Sequence, residues 1–243
     1  IETISLVHPK KHIEKIFSNI PKSGLIGVEK EPYADTMLCP NSKKAILRSC
    51  GAGIAAADDL IKKNERVFCA IRPPGHHAET TKAMGFCFIN NIAVTAKYLQ
   101  NKYKVNKIAI IDFDVHHGNG TQEIFYNDET VLYASSHEFP LFPGTGSEQE
   151  TGVGNIFNAP LKTGMKGNEF LKIFDQKILR PIDKFKPEII LISAGFDAHV
   201  RDPLANINLE SEDFYQITKQ IVDLANIHSK GRVISFLEGG YDL

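Results

Sequence analysis

Five short and nearly continuous apolar runs constrain the fold of this 243-residue chain more than any other feature. The runs are residues 66–71, 107–112, 130–135, 188–193 and 232–237. Strands that are apolar at almost every position are typical of a parallel sheet covered on both faces. Helix-like segments occur at residues 41–63, 90–100, 121–127, 166–185 and 211–229. The alternation predicts one α/β domain, a mostly parallel sheet with helices on both faces.

The composition argues against several functional classes. The chain has 28 Lys and Arg residues against 29 Asp and Glu. It therefore lacks the excess of basic residues that would indicate direct nucleic-acid binding. No apolar run approaches the roughly 18–20 residues of a membrane span, so we expect no membrane partner. Four cysteines, at 39, 50, 69 and 87, lack CxxC spacing and predict reduced thiols. These features favour a cytoplasmic location, or a nuclear one in a eukaryote.

A polar or glycine-rich motif follows each apolar run. The motifs are residues 72–77, 112–120, 135–137, 194–197 and 238–241. Open α/β sheets bind their ligands at the carboxyl ends of strands, so one shared cleft is predicted there. The Gly- and Pro-rich stretch 137–163 is interpreted as a loop.

The motif after the second run indicates a metal site. In an extended backbone, Asp112, Asp114 and His116 would project to one side. Asp114, His116 and Asp197 would give a divalent ion three ligands and leave one position open, as in catalytic zinc sites. Ferrous iron suits the same mixed set. Taken alone, either motif could instead supply helix caps, ion pairs or a core histidine.

Two adjacent histidines, His76 and His77, are candidates for a general base. Adjacent side chains point in different directions, so each needs its own partner. Asp112 would hold one imidazole and raise its pKa, and Asn119 would hold the other without adding charge. Tyr241 could donate to the oxyanion of a tetrahedral intermediate. Considered singly, these residues could also be turn histidines and a half-buried aromatic residue.

Two phenylalanines, Phe86 and Phe142, lie on loops beyond strand or helix ends. Their faces could line a slot for a long aliphatic stem such as that of lysine. Core packing is the alternative for either residue by itself.

Six motifs resemble the arginase-like histone deacetylase superfamily, particularly class II histone deacetylases and bacterial amidohydrolases. They are RPPGHHAE (72–79), GFCFINN (85–91), DFDVHHGNGTQEIFY (112–126), FPGTG (142–146), SAGFDAHVRDPLA (193–205) and LEGGYDL (237–243). The resemblance runs from about Leu6 to the last residue. It implies the arginase/deacetylase fold and zinc-dependent hydrolysis of an acetylated amine, which releases acetate.

The resemblance also implies roles for single residues. Asp114, His116 and Asp197 match the zinc ligands. His77 matches the general base and acid, and His76 matches its electrostatic partner.

The supporting residues follow in the same way. Asp112 matches the carboxylate behind His76, and Asn119 matches the partner behind His77. Tyr241 matches the tyrosine that polarises the substrate carbonyl.

Further positions match the walls of the substrate tunnel and an ion site. The tunnel positions are Phe86, Phe142, Gly85 and Leu204. A structural monovalent cation such as K⁺ is implied close to the zinc. Its ligands would come from Asp112, Asp114, His116, Ser135 and Ser136.

Leu204 bears on the substrate. The polyamine-selective branch resembles this pattern but carries an acidic gatekeeper after the Asp-Pro pair, whereas Leu204 is apolar. Acetyl-lysine in peptides or proteins is therefore favoured over an acetylated polyamine. A binuclear manganese ureohydrolase and a non-catalytic acetyl-lysine binder are the remaining alternatives, and Asn119 argues against the former. The pattern implies that residues 1–243 are one catalytic domain shortened at both ends.

Overall fold

The computed structural model describes residues 1–29 and 35–242. Its strands are β1 Ile26–Gly27, β2 Met37–Leu38, β3 Val67–Cys69, β4 Ile108–Asp112, β5 Val131–Glu138, β6 Ile156–Leu161, β7 Ile189–Ala194 and β8 Val233–Leu237. Its α-helices are α1 Lys10–Ser18, α2 Ser42–Lys63, α3 Asn91–Tyr103, α4 Asn119–Phe125, α5 Gly167–Phe174, α6 Arg180–Phe185 and α7 Ser211–His228. A 3₁₀ turn covers Ile4–Leu6, and a π-helical turn, Asp175–Leu179, joins α5 to α6. Leu243, the last residue of the LEGGYDL motif, lies outside the described residues.

The main sheet of the described residues has six parallel strands in the order β3-β8-β7-β4-β5-β6. Strands β1 and β2 form a separate antiparallel pair. All five predicted strands are present, which confirms the parallel α/β fold. None of the helices in these residues is long and apolar enough to cross a bilayer.

Alternate residues of β4 show that both faces of the sheet are covered. Ile108 and Ile110 pack in a core with residues of α2 and α3. Ala109 and Ile111 pack in a second core with residues of α5 and α7. All four β4 side chains are fully buried, and burial of an isoleucine contributes about 1.5–3 kcal/mol. The strand is therefore apolar at nearly every position because both faces of the sheet are covered, as predicted.

The structure corrects the prediction for residues 137–163. Strand β5 continues to Glu138, and Ile156–Leu161 forms the additional strand β6. Asn158 and Pro160 interrupt the apolar pattern of this segment. Proline is tolerated because β6 is an edge strand that pairs with β5 alone. Ser135 and Ser136 consequently lie inside β5 and do not follow a strand.

The strand order places the functional motifs beside one another. Strand β7 lies between β4 and β8, and β8 lies between β7 and β3. Asp112 at the end of β4 is in register with Ser193 of β7. The segments that leave the carboxyl ends of β3, β4, β7 and β8 therefore meet above the middle of the sheet.

Candidate active site

Three side chains predicted to bind metal converge above the sheet. One ligand atom each from Asp114, His116 and Asp197 lie within 4.8 Å of one another. His116 Nδ1 is 3.2 Å from Asp114 Oδ1 and 3.1 Å from Asp197 Oδ2. Burial, and then the adjacent Asp114 carboxylate, raise the pKa of Asp197 to about 7. Two buried carboxylates and an imidazole at this separation fit a divalent cation, which would neutralise both acids.

Backbone turns give the metal site its shape. Strand β4 ends at Asp112, whose Oδ1 accepts the N–H of Asp114 at 3.2 Å. Asp114 Oδ1 in turn accepts the N–H of His116 at 2.9 Å. The expectation that residues 112, 114 and 116 continue an extended strand is therefore wrong. Asp112 points toward His76 and is not part of the three-residue cluster.

Gly239 closes the metal site from β8. Its N–H donates to Asp114 Oδ2 at 2.7 Å. A Cβ at this position would overlap the carboxylates of both Asp114 and Asp197. Close approach of the backbone to these acids therefore requires glycine.

The first histidine of the pair, His76, is held by a carboxylate, as predicted. Its Nδ1 is 3.0 Å from Asp112 Oδ2, which also accepts the Tyr133 hydroxyl at 3.0 Å. Burial alone would lower the pKa of His76. The charges of Asp112, Asp114 and Glu238 outweigh that effect and raise it well above its usual range. The carboxylate beside Nδ1 therefore favours the protonated form of His76.

The second histidine, His77, has a neutral partner. Its Nδ1 is 2.9 Å from Asn119 Oδ1. Burial, followed by the charge of His76, holds the pKa of His77 well below its usual range. A buried imidazole that stays neutral can accept a proton.

A cavity of about 280 Å³ leads to these residues. It is lined by Asp35, His77, Gly85, Phe86, His116, Leu141, Phe142, Leu204 and Tyr241. All four positions predicted for the tunnel are therefore among its walls. The rings of Phe142 and His77 meet edge-on with 5.1 Å between their centroids, and those of Phe86 and Tyr241 meet edge-on with 6.2 Å between theirs. Gly85, with φ of +56°, carries the chain against the ring of His77, where a Cβ would overlap.

Four acidic or apolar residues near the site were missed by the sequence analysis. Asp35 and Leu141 line the cavity. Glu79 accepts the amide of Asn119 at 2.8 Å. Glu238 accepts the N–H groups of Gly75 and His76 at 2.7 and 3.2 Å, and the Ser193 hydroxyl at 3.0 Å. Glu79 and Glu238 belong to conspicuous motifs, but only their contacts reveal what they hold.

Two of the residues predicted to bind a monovalent cation, Asp112 and Ser135, lie side by side on neighbouring strands. Ser135 is in register with Asp112, and its Oγ is 2.9 Å from His137 Nδ1. Ser136 Oγ is buried and has no hydrogen-bond partner among the described residues. The cation itself remains a prediction.

The whole chain matches a known protein family. The family model described as "Histone deacetylase domain" matches residues 1–243. The chain belongs to the histone deacetylase family. It is similar to "Histone deacetylase 10, chloroplastic" of Oryza sativa subsp. japonica, at 40% identity over all of this chain and 57% of that protein. A "Probable deacetylase" of Archaeoglobus fulgidus is 37% identical over all of this chain and 67% of its own length.

A solved crystal structure has the same fold. The crystal structure of the HDA15 HD domain superposes with a TM-score of 0.91 and 33% identity. The match covers 99% of this chain and 67% of that one. The chain thus spans about three fifths to two thirds of the lengths of these relatives.

Proposed function

We propose that this protein is a metal-dependent amidohydrolase that removes acetyl groups from N6-acetyl-lysine in peptides or proteins. The observation that carries the proposal is the cluster of Asp114, His116 and Asp197, whose histidine lines an aromatic-walled cavity together with His77. The reaction would release acetate and a free amine.

Zinc is the metal that we propose for the three-residue cluster, because one imidazole and two carboxylates leave a position open for substrate. When bound there, the ion would polarise the acetyl carbonyl and acidify the attacking water. Ferrous iron accepts the same ligands, so metal analysis must accompany every activity measurement.

His77 would move the protons of the reaction. Its Nδ1 is occupied by Asn119, which leaves Nε2 to take a proton from the attacking water. The same nitrogen would later deliver a proton to the leaving amine. The ring of His76 lies 4.0 Å from that of His77 between centroids, and in its protonated form it would favour the developing negative charge of the intermediate.

Tyr241 would donate a hydrogen bond to the substrate carbonyl. It lines the cavity together with His77 and His116. Burial, and then the charge of Asp114, raise the pKa of the Tyr241 hydroxyl well above its usual range. The phenol therefore keeps its proton and can stabilise an oxyanion.

The walls of the cavity support a substrate with a long apolar stem. Phe86 and Phe142 are 43% and 38% exposed, so their faces are available to a ligand. Leu204 adds apolar surface at the same cavity. These side chains suit the four methylene groups of acetyl-lysine.

One observation favours a second candidate, an acetylated polyamine. The cavity is also lined by the exposed carboxylate of Asp35. This acid could attract a second ammonium group, which the apolar Leu204 cannot do.

The deciding experiment measures acetate release from matched acetyl-lysine peptides and acetylated polyamines by the metal-analysed protein. We expect peptide turnover with one zinc per chain. His77→Ala should abolish turnover while the metal content stays unchanged. Full activity of that variant would show that the assigned base is wrong.

Other outcomes would favour the alternatives. Two manganese ions per chain, with hydrolysis of a guanidino substrate, would indicate a ureohydrolase. Peptide binding by a zinc-loaded protein that releases no acetate would indicate a non-catalytic acetyl-lysine binder.

A further inference from the structure

The side-chain amide of Asn119 lies between His77 and Glu79 and forms a hydrogen bond with each. Its Oδ1 is 2.9 Å from His77 Nδ1, and its Nδ2 is 2.8 Å from Glu79 Oε1. A carboxylate can only accept hydrogen bonds, so the nitrogen of the amide must face Glu79. The two ends of an Asn amide have nearly the same shape, and here the chemistry of Glu79 decides between them.

The orientation of Asn119 determines which nitrogen of His77 carries the proton. An amide oxygen only accepts, so Nδ1 of the neutral ring must be the N–H. Nε2 then has the lone pair that a general base needs. If the amide were reversed, its N–H groups would face Nδ1 and move the ring proton to Nε2. The second contact of Asn119 Nδ2, 3.3 Å from Met84 Sδ, is to a weak acceptor and would resist reversal little.

We propose that Glu79 is a positioning residue that sets the tautomer of His77 through Asn119. The inference rests on the proposed function, in which His77 Nε2 accepts a proton. Glu79 is buried in part and follows the histidine pair by two residues, so the same loop carries the base and the group that orients it. If Glu79 only held this loop in place, its substitution would not change the tautomer of His77.

The first test is Glu79→Gln. Glutamine keeps the shape of the side chain but can donate as well as accept, so it no longer fixes the amide. We expect kcat to fall about tenfold with little change in KM, as is usual when a supporting hydrogen-bond partner is altered. The matched control is Glu123→Gln. The side chain of Glu123 accepts the N–H and hydroxyl of Thr80 at 2.9 and 2.6 Å, and so anchors the same loop through a residue other than Asn119. The control should retain the wild-type kcat.

The second test repeats Glu79→Gln in an Asn119→Asp background. Either oxygen of the introduced carboxylate would accept from His77, so no orientation remains to be set. Glu79 would then be a like charge beside the new acid. The substitution Glu79→Gln should therefore leave kcat unchanged, or raise it, relative to Asn119→Asp alone. An equal fall in kcat in both backgrounds would overturn the proposal, because only a structural role predicts it.

The third test reads the tautomer directly and requires neither metal nor activity. Ring ¹⁵N chemical shifts of His77, assigned by comparison with His77→Ala, should show Nδ1–H in the metal-free wild-type protein. Glu79→Gln should show a mixture of tautomers. A pure Nδ1–H signal in Glu79→Gln would overturn the proposal. An inactive wild-type protein would refute the proposed function, whereas this measurement would still decide the role of Glu79.

Discussion

Substitution of the buried residue His8 should make the protein less sensitive to acid. His8 Nε2 accepts the backbone N–H of Asn90 at 2.9 Å, and Nδ1 donates to the carbonyl of Thr80 at 3.1 Å. Since one ring nitrogen accepts, the imidazole must be neutral in the folded protein. Burial, and then the adjacent ring of His12, lower the pKa of His8 from 6.5 to about 4.

The lowered pKa of His8 makes the folded protein less stable in acid. The unfolded chain binds a proton at His8 more readily, so the stabilisation is complete above pH 6.5 and is lost as the pH falls through about 4. Each pKa unit corresponds to about 1.4 kcal/mol, which makes the full loss about 3 kcal/mol. About 2 kcal/mol of it should be lost by about pH 5.

The assay compares urea unfolding of the wild type and His8→Gln at about pH 7.5 and about pH 5. Glutamine can still accept the N–H of Asn90 but does not titrate. His12 and all carboxylates remain in both proteins, so the difference between the two pH responses reports His8. We expect the wild type to lose about 2 kcal/mol more than the variant. Equal losses would refute the argument.

Three further predictions concern the site. Gly239→Ala should weaken metal binding at least about tenfold, because its Cβ would overlap the acidic ligands. In the control Gly51→Ala the new Cβ meets nothing within 4 Å, so elemental analysis should show the wild-type metal content. Tyr241→Phe should lower kcat about 100-fold with the metal retained, and a wild-type rate would remove the tyrosine from the mechanism. Asp35→Asn should raise KM about threefold for acetylated substrates with a second ammonium but leave neutral ones unchanged, in steady-state assays of matched pairs. An equal change for both substrates would exclude a charge effect.

Part of the fold was predictable because burial leaves a simple pattern. The run that became β4 is buried at every position, and the sequence shows this as Ile-Ala-Ile-Ile. The edge strand β6 has no such pattern, because Asn158 and Pro160 occupy positions that a central strand would give to apolar residues. Its pairing with β5 depends on the sheet and cannot be recognised locally.

The candidate site was likewise predictable from the sequence only in part. Asp114, His116 and Asp197 were predictable from their chemical types and their positions after strands. The turn after Asp112 was not, because it is made by hydrogen bonds between side chain and backbone that periodicity does not register. The role of Glu79 required a contact across 40 residues of sequence, which only the folded chain reveals.

The position of β8 in the sheet has a consequence for biosynthesis. This strand is the last of the described strands to be synthesised, yet it lies between β3 and β7 in the sheet. Val67 of β3 therefore cannot pair with Ile234 until β8 has left the ribosome. Until then β3 and β7 expose unpaired edges, which favour aggregation in a nascent chain. Glu238 follows immediately and ties both neighbours together through Gly75 and Ser193. The sheet and the catalytic groups should therefore be completed together, once β8 and Glu238 have been synthesised.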